Sequence, residues 1–147
     1  MTSLRTPLRL LTSTLAMSLA MVPARAEQSA PVPALALELN GAQASDKGCR
    51  LTFVVNNDLG ADLSKAAFEI ALFNEAGVVD RLTVLDFKEL PAGKTKVTRF
   101  DLAGTDCAKV SRVLINSATE CAGTAVDPNA CMRKLKTDTK TGIAFGV

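Results

Sequence analysis

The sequence contains no histidine, no tryptophan and no tyrosine in its 147 residues. Histidine is the usual general base near neutral pH, so its absence excludes Ser-His-Asp and Cys-His catalytic groups. Tryptophan and tyrosine usually form the aromatic surfaces that bind sugars, nucleobases or antibody-like partners. The sequence therefore excludes histidine-based catalysis and lacks the residues that usually form those binding surfaces.

The first 26 residues have the three parts of a secretory signal peptide. A basic start with Arg5 and Arg9 precedes the apolar run LLTSTLAMSLAMV, and Ala-Arg-Ala follows at residues 24–26. This apolar run is shorter than the ~20 residues of a membrane-spanning helix, and no later segment is long and apolar enough to be one. We therefore predict cleavage after Ala26 and a periplasmic or secreted location. The alternative is an uncleaved anchor.

Removing residues 1–26 changes the charge of the chain. The remaining 121 residues contain 14 basic and 15 acidic side chains, a formal charge of −1. This balance lacks the basic footprint of a nucleic-acid-binding protein, so no nucleic-acid partner is predicted. The length fits one domain. We divide it into an extended, proline-containing leader over residues 27–34 and a single β-sandwich domain over residues 35–147.

All four cysteines lie after the predicted cleavage site, at Cys49, Cys107, Cys121 and Cys131. An even number of cysteines in an exported chain indicates two disulfides, and three pairings are possible. A metal site or a thioredoxin-like redox site would need cysteines at C-x-x-C spacing, which the sequence does not have. We predict disulfides, no metal and no cofactor.

Alternation of apolar and polar residues predicts β-strands along most of the domain. In residues 49–57, for example, Leu51 and Phe53 point one way while Arg50 and Thr52 point the other. Turn residues separate such strands about every dozen residues. We predict an all-β, immunoglobulin-like sandwich of about seven antiparallel strands. The predicted strands cover residues 35–42, 49–57, 66–74, 78–87, 95–102, 109–117 and roughly 133–145.

Two of the predicted strands have imperfect alternation. Val97 and Phe100 are out of phase, which indicates a bulge in residues 95–102. In residues 109–117, apolar side chains fall on both faces. This pattern indicates either a central strand that is buried on both sides or a second bulged strand.

The middle of the chain resembles a known family of domains. The stretches LTFVVNN, FEIALFNEAGVV and LPAGKTKVTRFDL, within residues 51–102, are similar to extracytoplasmic immunoglobulin-like domains of the FxLYD type. This resemblance implies a small sandwich used as a binding or accessory module, without catalytic residues. In an immunoglobulin-like strand order, Cys49 and Cys107 would lie near each other between the sheets. A hairpin would bring Cys121 close to Cys131.

Separated carboxylates are the remaining candidates for catalysis. Asp58 with Asp62, or Asp80 with Asp86, could act as an acid and base pair. The alternative, which we favour, is that these side chains are solvated residues of turns and strand edges.

The stretch NNDLGAD could also bind an ion or another small ligand. Asn56, Asp58 and Asp62 carry oxygen ligands suited to Ca²⁺, but the stretch lacks the full EF-hand loop and its terminal glutamate. The alternative is a loop whose polar side chains bond to its own backbone.

We expect most of the six phenylalanines to lie in the core. Phe73 is the exception, because it falls on the opposite face from Phe68, Ile70 and Leu72. We predict a non-catalytic, exported interaction or accessory module whose partner is an envelope protein, bound for example along an exposed edge strand. The alternatives are a carboxylate-dependent envelope hydrolase and a carrier of a small ligand or ion.

Overall fold

Eight β-strands make up most of the computed structural model, which describes residues 30–147. The predicted signal peptide, residues 1–26, lies outside the described residues. A 3₁₀ turn (Cys107–Lys109) precedes the sixth strand, and a one-turn helix, α1 (Ala130–Arg133), precedes the seventh. The strands are β1 (Leu35–Ser45), β2 (Gly48–Asn57), β3 (Leu63–Asn74), β4 (Val79–Leu90), β5 (Thr95–Ala103), β6 (Val110–Ala122), β7 (Leu135–Thr139) and β8 (Ala144–Gly146).

The strands form two four-stranded sheets that enclose one core. The first sheet has the order β5-β2-β1-β7, and the second has the order β4-β3-β6-β8. Neighbouring strands are antiparallel except for β1 with β7 and β6 with β8, which are parallel. The predicted all-β sandwich is confirmed. Two details differ from the prediction, since there are eight strands rather than about seven and two of the pairings are parallel.

The extra strand arises at the carboxyl end of the chain, where residues 133–145 were expected to form one strand. The hydroxyl of Thr139 donates to the carbonyl of Ile143 at 3.2 Å and accepts from the N–H of Thr141 at 3.1 Å. The hydroxyl of Thr141 accepts from the N–H of Ile143 at 3.1 Å. These bonds close a turn that takes the chain from β7 in the first sheet to β8 in the second.

The core lies between the inward faces of the two sheets. Phe53 of β2 packs edge-on against Phe87 and Phe145, with ring centroids 5.6 Å apart in both pairs. Phe100 and Phe68 complete the cluster through contacts with Phe87. Five of the six phenylalanines therefore join strands of both sheets, and edge-on ring contacts of this kind add to the free energy of apolar burial.

The two strands with imperfect alternation behave differently from each other. β5 pairs with β2 without a shift in register, so the expected bulge is absent, with Val97 facing solvent and Phe100 facing the core. β6 lies between β3 and β8 and shifts register against β3 at three places. It is both a central strand and a bulged one.

Asn57, at the end of β2, fixes the loop that leads to β3. Its side chain is 1% exposed. The amide nitrogen donates to the carbonyls of Ala61 at 3.0 Å and Leu90 at 2.7 Å, and the amide oxygen accepts from the N–H of Leu59 at 3.1 Å. One buried side chain therefore joins the loop of the first sheet to the end of β4 in the second.

We expect Asn57→Ala to destabilise the fold by about 1–3 kcal/mol, because it leaves the buried carbonyl of Leu90 without this donor. The free energy of unfolding in urea measures the effect. The neighbouring Asn56→Ala is the matched control, since that side chain bonds at the surface to Asp58, and its loss should change stability far less. Equal losses in the two variants would contradict this role of Asn57.

Candidate functional site

Two disulfides join the second half of the chain to itself and to β2. Cys49 of β2 bonds to Cys107 of the 3₁₀ turn, with Cα atoms 4.9 Å apart, and Cys121 of β6 bonds to Cys131 of α1, with Cα atoms 5.9 Å apart. These are the two pairs that the immunoglobulin-like strand order implied. β6 is thus held near both of its ends. Two disulfides fit a location outside the reducing cytoplasm.

The structure does not gather the three side chains considered for calcium. The amide of Asn56 donates to the carboxylate of Asp58, while the carboxylate of Asp62 accepts the N–H of Ala92 at 2.7 Å. Asp58 and Asp62 line two different hollows. Among residues 30–147, no group of three or more cysteine, aspartate or glutamate side chains is placed to hold a metal ion.

The candidate carboxylate pairs are also separated or engaged elsewhere. Asp80 and Asp86 are six residues apart on β4, which corresponds to about 20 Å along a strand. The carboxylate of Asp86 accepts from the ammonium of Lys88 at 2.7 Å and pairs with Lys65 at 3.9 Å. The hydrogen bond from Lys88 lowers the pKa of Asp86, which is the opposite of what a general acid needs.

A cluster of apolar side chains lies on the outer face of the second sheet, where it does not contribute to the core. Four of the seven large apolar side chains that are exposed among the described residues lie within residues 78–84. Leu82 and Val84 of β4 are 56% and 51% exposed. We call the cluster the outer apolar patch; it consists of Ala71, Phe73, Val79, Leu82, Val84 and Leu114.

The strand register places these side chains next to one another. Leu82 is opposite Ala71 of β3, which is opposite Leu114 of β6. In the next row, Val79 is opposite Phe73. Residues that are opposite each other in neighbouring strands share one face of a sheet. The patch therefore crosses three strands of the second sheet.

Phe73 is the one phenylalanine outside the core, on the face that the alternation of β3 predicted. The guanidinium of Arg112, which is opposite Phe73 in β6, lies 5.5 Å from the ring centroid. Such a cation–π contact contributes about 0.5–1 kcal/mol at an exposed site. It holds the ring on the outer surface, where it remains partly exposed.

A polar hollow of about 280 Å³ adjoins the patch at Phe73. Its lining includes Asp80, Asp106 and Lys109. None of the ion pairs formed within residues 30–147 involves Asp80 or Asp106. The two carboxylates share this hollow with a single ammonium group.

The sequence of β4 contains apolar residues of the patch, but alternation alone does not show which of its apolar residues are exposed. In β4, Leu82 and Val84 occupy one set of alternate positions, and Leu85 and Phe87 occupy the other. A strand with apolar residues in both sets is either buried on both sides or exposes one of them. Only the tertiary structure shows that Leu85 and Phe87 face the core and that Leu82 and Val84 are exposed on the outer face.

A comparison of the chain with family models, curated proteins and solved structures finds no match in any of the three. Within the described part of the chain, neither helical segment has the length and apolar character to cross a membrane.

The two disulfides should stabilise the fold to different extents, because they close loops of 58 and 10 residues. By the chain-entropy argument, replacing Cys49 and Cys107 with alanine should cost about 4 kcal/mol, and replacing Cys121 and Cys131 should cost about 3 kcal/mol. Urea unfolding of the two double variants measures both losses. Reduced wild-type protein is the control, because it lacks the disulfides but keeps the cysteine side chains. A larger loss of stability for the Cys121 and Cys131 variant than for the Cys49 and Cys107 variant would contradict this prediction.

The pH dependence of stability should be confined to acid pH. Hydrogen bonds from Lys88, Arg50 and Lys140 lower the pKa of Asp86, Asp101 and Asp138, respectively, and the positive charge of each partner lowers it further. A carboxylate with a lowered pKa in the folded state contributes stability above its unfolded pKa of ~3.9 and loses it as the pH falls through the folded value. The sequence has no histidine, the side chain whose ordinary pKa lies between pH 5 and 8.

We therefore expect the free energy of unfolding to stay constant from about pH 8 to pH 5 and to fall below about pH 4. Denaturant unfolding at a series of pH values, at constant ionic strength, is the measurement. Asp101→Asn should show a shallower acid loss, because it removes one of these carboxylates and its hydrogen bonds with Arg50. A stability change centred near pH 6.5 is the result that this account does not allow.

Proposed function

We propose that this protein is a non-catalytic, exported interaction module and that the outer apolar patch is its binding surface. The patch is the observation that carries the proposal. Contiguous exposed apolar surface on a water-soluble domain costs free energy in water, and such patches mark binding sites for other proteins. The core does not need these side chains, since the inward face of the same strands already supplies it.

The geometry of the patch suits a protein partner. Its side chains lie on a sheet face rather than in a closed cavity, and its edge carries Arg112, whose guanidinium covers part of the Phe73 ring. Aromatic residues and arginines are enriched where protein surfaces bind each other. A carrier of a small ligand would instead require an enclosed apolar cavity.

The proposed location of the protein indicates what kind of partner it binds. The two disulfides fit an extracytoplasmic protein. The stretch over residues 1–26 supports export with cleavage after Ala26 to the periplasm or the exterior. We therefore propose that the partner is an envelope protein and that neither nucleic acid nor the membrane itself is the ligand.

Capture from an envelope extract tests the proposal. Mature protein immobilised on resin should retain a specific partner, identified by mass spectrometry. The double variant Leu82→Ser and Val84→Ser should lose it, because it replaces the two most exposed side chains of the patch on β4 with polar ones.

Val97→Ser is the matched control for that experiment. Val97 is 60% exposed but lies on the outer face of the first sheet, opposite Val54. Capture should survive this change. Equal loss in both variants, or retention by the patch variant, would place the binding surface elsewhere, and turnover of a substrate that depends on Asp80 or Asp86 would replace the proposal with an enzymatic function.

A further inference from the structure

We infer that the free edge of β4, over residues 81–85, binds an extended segment of another protein as an added antiparallel strand. This inference rests on the proposed function and specifies how the partner is held. The segment carries two alternating apolar side chains, with a basic side chain two residues after them.

The edge strands of the two sheets differ in length and in exposed side chains. β4 has 12 residues, whereas β5, β7 and β8 have 9, 5 and 3. β4 also presents two consecutive outward apolar side chains, Leu82 and Val84. The other long edge, β5, presents a single exposed apolar side chain, Val97, between polar ones. A long edge with exposed apolar side chains is a template for pairing with another strand.

Lys96 closes one end of the β4 edge. Its ammonium donates to the carbonyls of Phe87 and Glu89, at 2.9 Å in both bonds. A lysine that occupies edge carbonyls prevents another strand from pairing with them. The carboxyl end of β4 is therefore protected.

The other end of the open stretch is marked by a bulge. The register of β4 against β3 shifts between Val79 and Arg81, which leaves Asp80 as the extra residue. The side chain of Arg81 donates to the carbonyl of Ala103 at 2.8 Å and so fastens this end of β4 to β5. Residues 81–85 lie between these two features and have no comparable protection.

The backbone groups of this stretch point in the direction that pairing requires. Backbone groups alternate between the two sides of a strand, and the N–H of Asn74 donates to the carbonyl of Val78 at 2.9 Å, so Asn74, Leu72 and Ile70 of β3 direct their backbone groups to β4. Their partners Arg81 and Thr83 therefore bond to β3, and the N–H and carbonyl groups of Leu82 and Val84 lie at the free edge. An added strand would satisfy them and would continue the face that carries Leu82 and Val84.

The charges on β4 favour a different chain over a second copy as the occupant. Asp86 is the next alternate position after Val84, and Asp80, the extra residue of the bulge, lies two residues before Leu82. Antiparallel pairing of two copies about Thr83 would bring Asp80 of each copy close to Asp86 of the other. Moving the two-fold axis by one residue would instead set Val84 against Asp80 or Leu82 against Asp86. Like charges directly opposite each other are destabilising.

The same charges indicate which residue the partner carries at its end. Asp86 already has Lys88 and Lys65 as partners. Asp80 has no ion-pair partner among residues 30–147 and shares its hollow with Asp106 and one lysine. A lysine or arginine opposite Asp80 would supply the second cation. In an antiparallel partner, this residue follows the apolar pair.

Synthetic peptides and a ¹⁵N-labelled mature protein test the inference. The probe is the capped peptide Thr-Val-Thr-Val-Thr-Lys, compared with the same peptide ending in Glu and with Lys-Thr-Val-Thr-Val-Thr. We expect NMR shift changes in the amides of residues 81–85, and an affinity for the first peptide at least about twofold above the other two. Asp80→Asn should remove this preference.

Two further variants separate edge pairing from other modes of binding. Val84→Pro removes one edge N–H that does not bond to β3 and keeps an apolar side chain, so the protein should keep its melting temperature within a few degrees and lose the peptide. Leu82→Ser should weaken binding about tenfold, whereas Val97→Ser should not. The Leu82 variant and the NMR map still decide the question if the proline variant does not fold.

Three results would overturn the inference. The first is absence of binding at millimolar peptide, and the second is a set of shift changes on β5, β7 or β8. The third is self-association, seen by sedimentation, that Val84→Pro abolishes, because it would make a second copy the occupant. If capture of the envelope partner is lost in Leu82→Ser but survives Val84→Pro and Asp80→Asn, the proposed function stands and this inference alone fails.

Discussion

Phe53 packs against phenylalanines from both sheets, and the rest of the structure depends on this contact. Its ring lies between β2 and the strands of the second sheet, so it determines which face of each strand points inward. Once Phe53 and Phe87 face each other, strict alternation assigns every other side chain of β2 and of the end of β4 to the core or to solvent. A slip of one residue would reverse every assignment.

The outer apolar patch follows from which face of each strand points inward, because its side chains lie on the opposite face and do not pack in the core. Because Leu85 and Phe87 face inward, Leu82 and Val84 must face outward, on a strand whose far side has no neighbour in the sheet. The two disulfides and the buried amide of Asn57 hold the ends of the strands in place. The patch and the β4 edge therefore belong to a cross-linked scaffold, which would limit the entropy lost on binding at the proposed surface.

Local pattern predicted the six longest strands because alternation is a property of neighbouring residues. It misjudged two places for the same reason. Val97 and Phe100 are three positions apart, and regular alternation puts them on opposite faces without a bulge. The end of the chain was expected to be one strand, but the hydroxyls of Thr139 and Thr141 bond to backbone groups and form a turn. These hydroxyl bonds do not affect the order of apolar and polar residues, so alternation could not predict the turn.

The sequence by itself determined the all-β class, the positions of the strands, and the outward direction of Phe73, since each depends on residues close together in the chain. It also excluded histidine-based chemistry, because composition does not depend on the fold. Tertiary structure alone decided that β4 is an edge, that Lys96 covers one end of it, and that Leu82 lies beside Ala71 and Leu114. Strand order and register join residues far apart in the chain, and alternation within one strand carries no information about its neighbour.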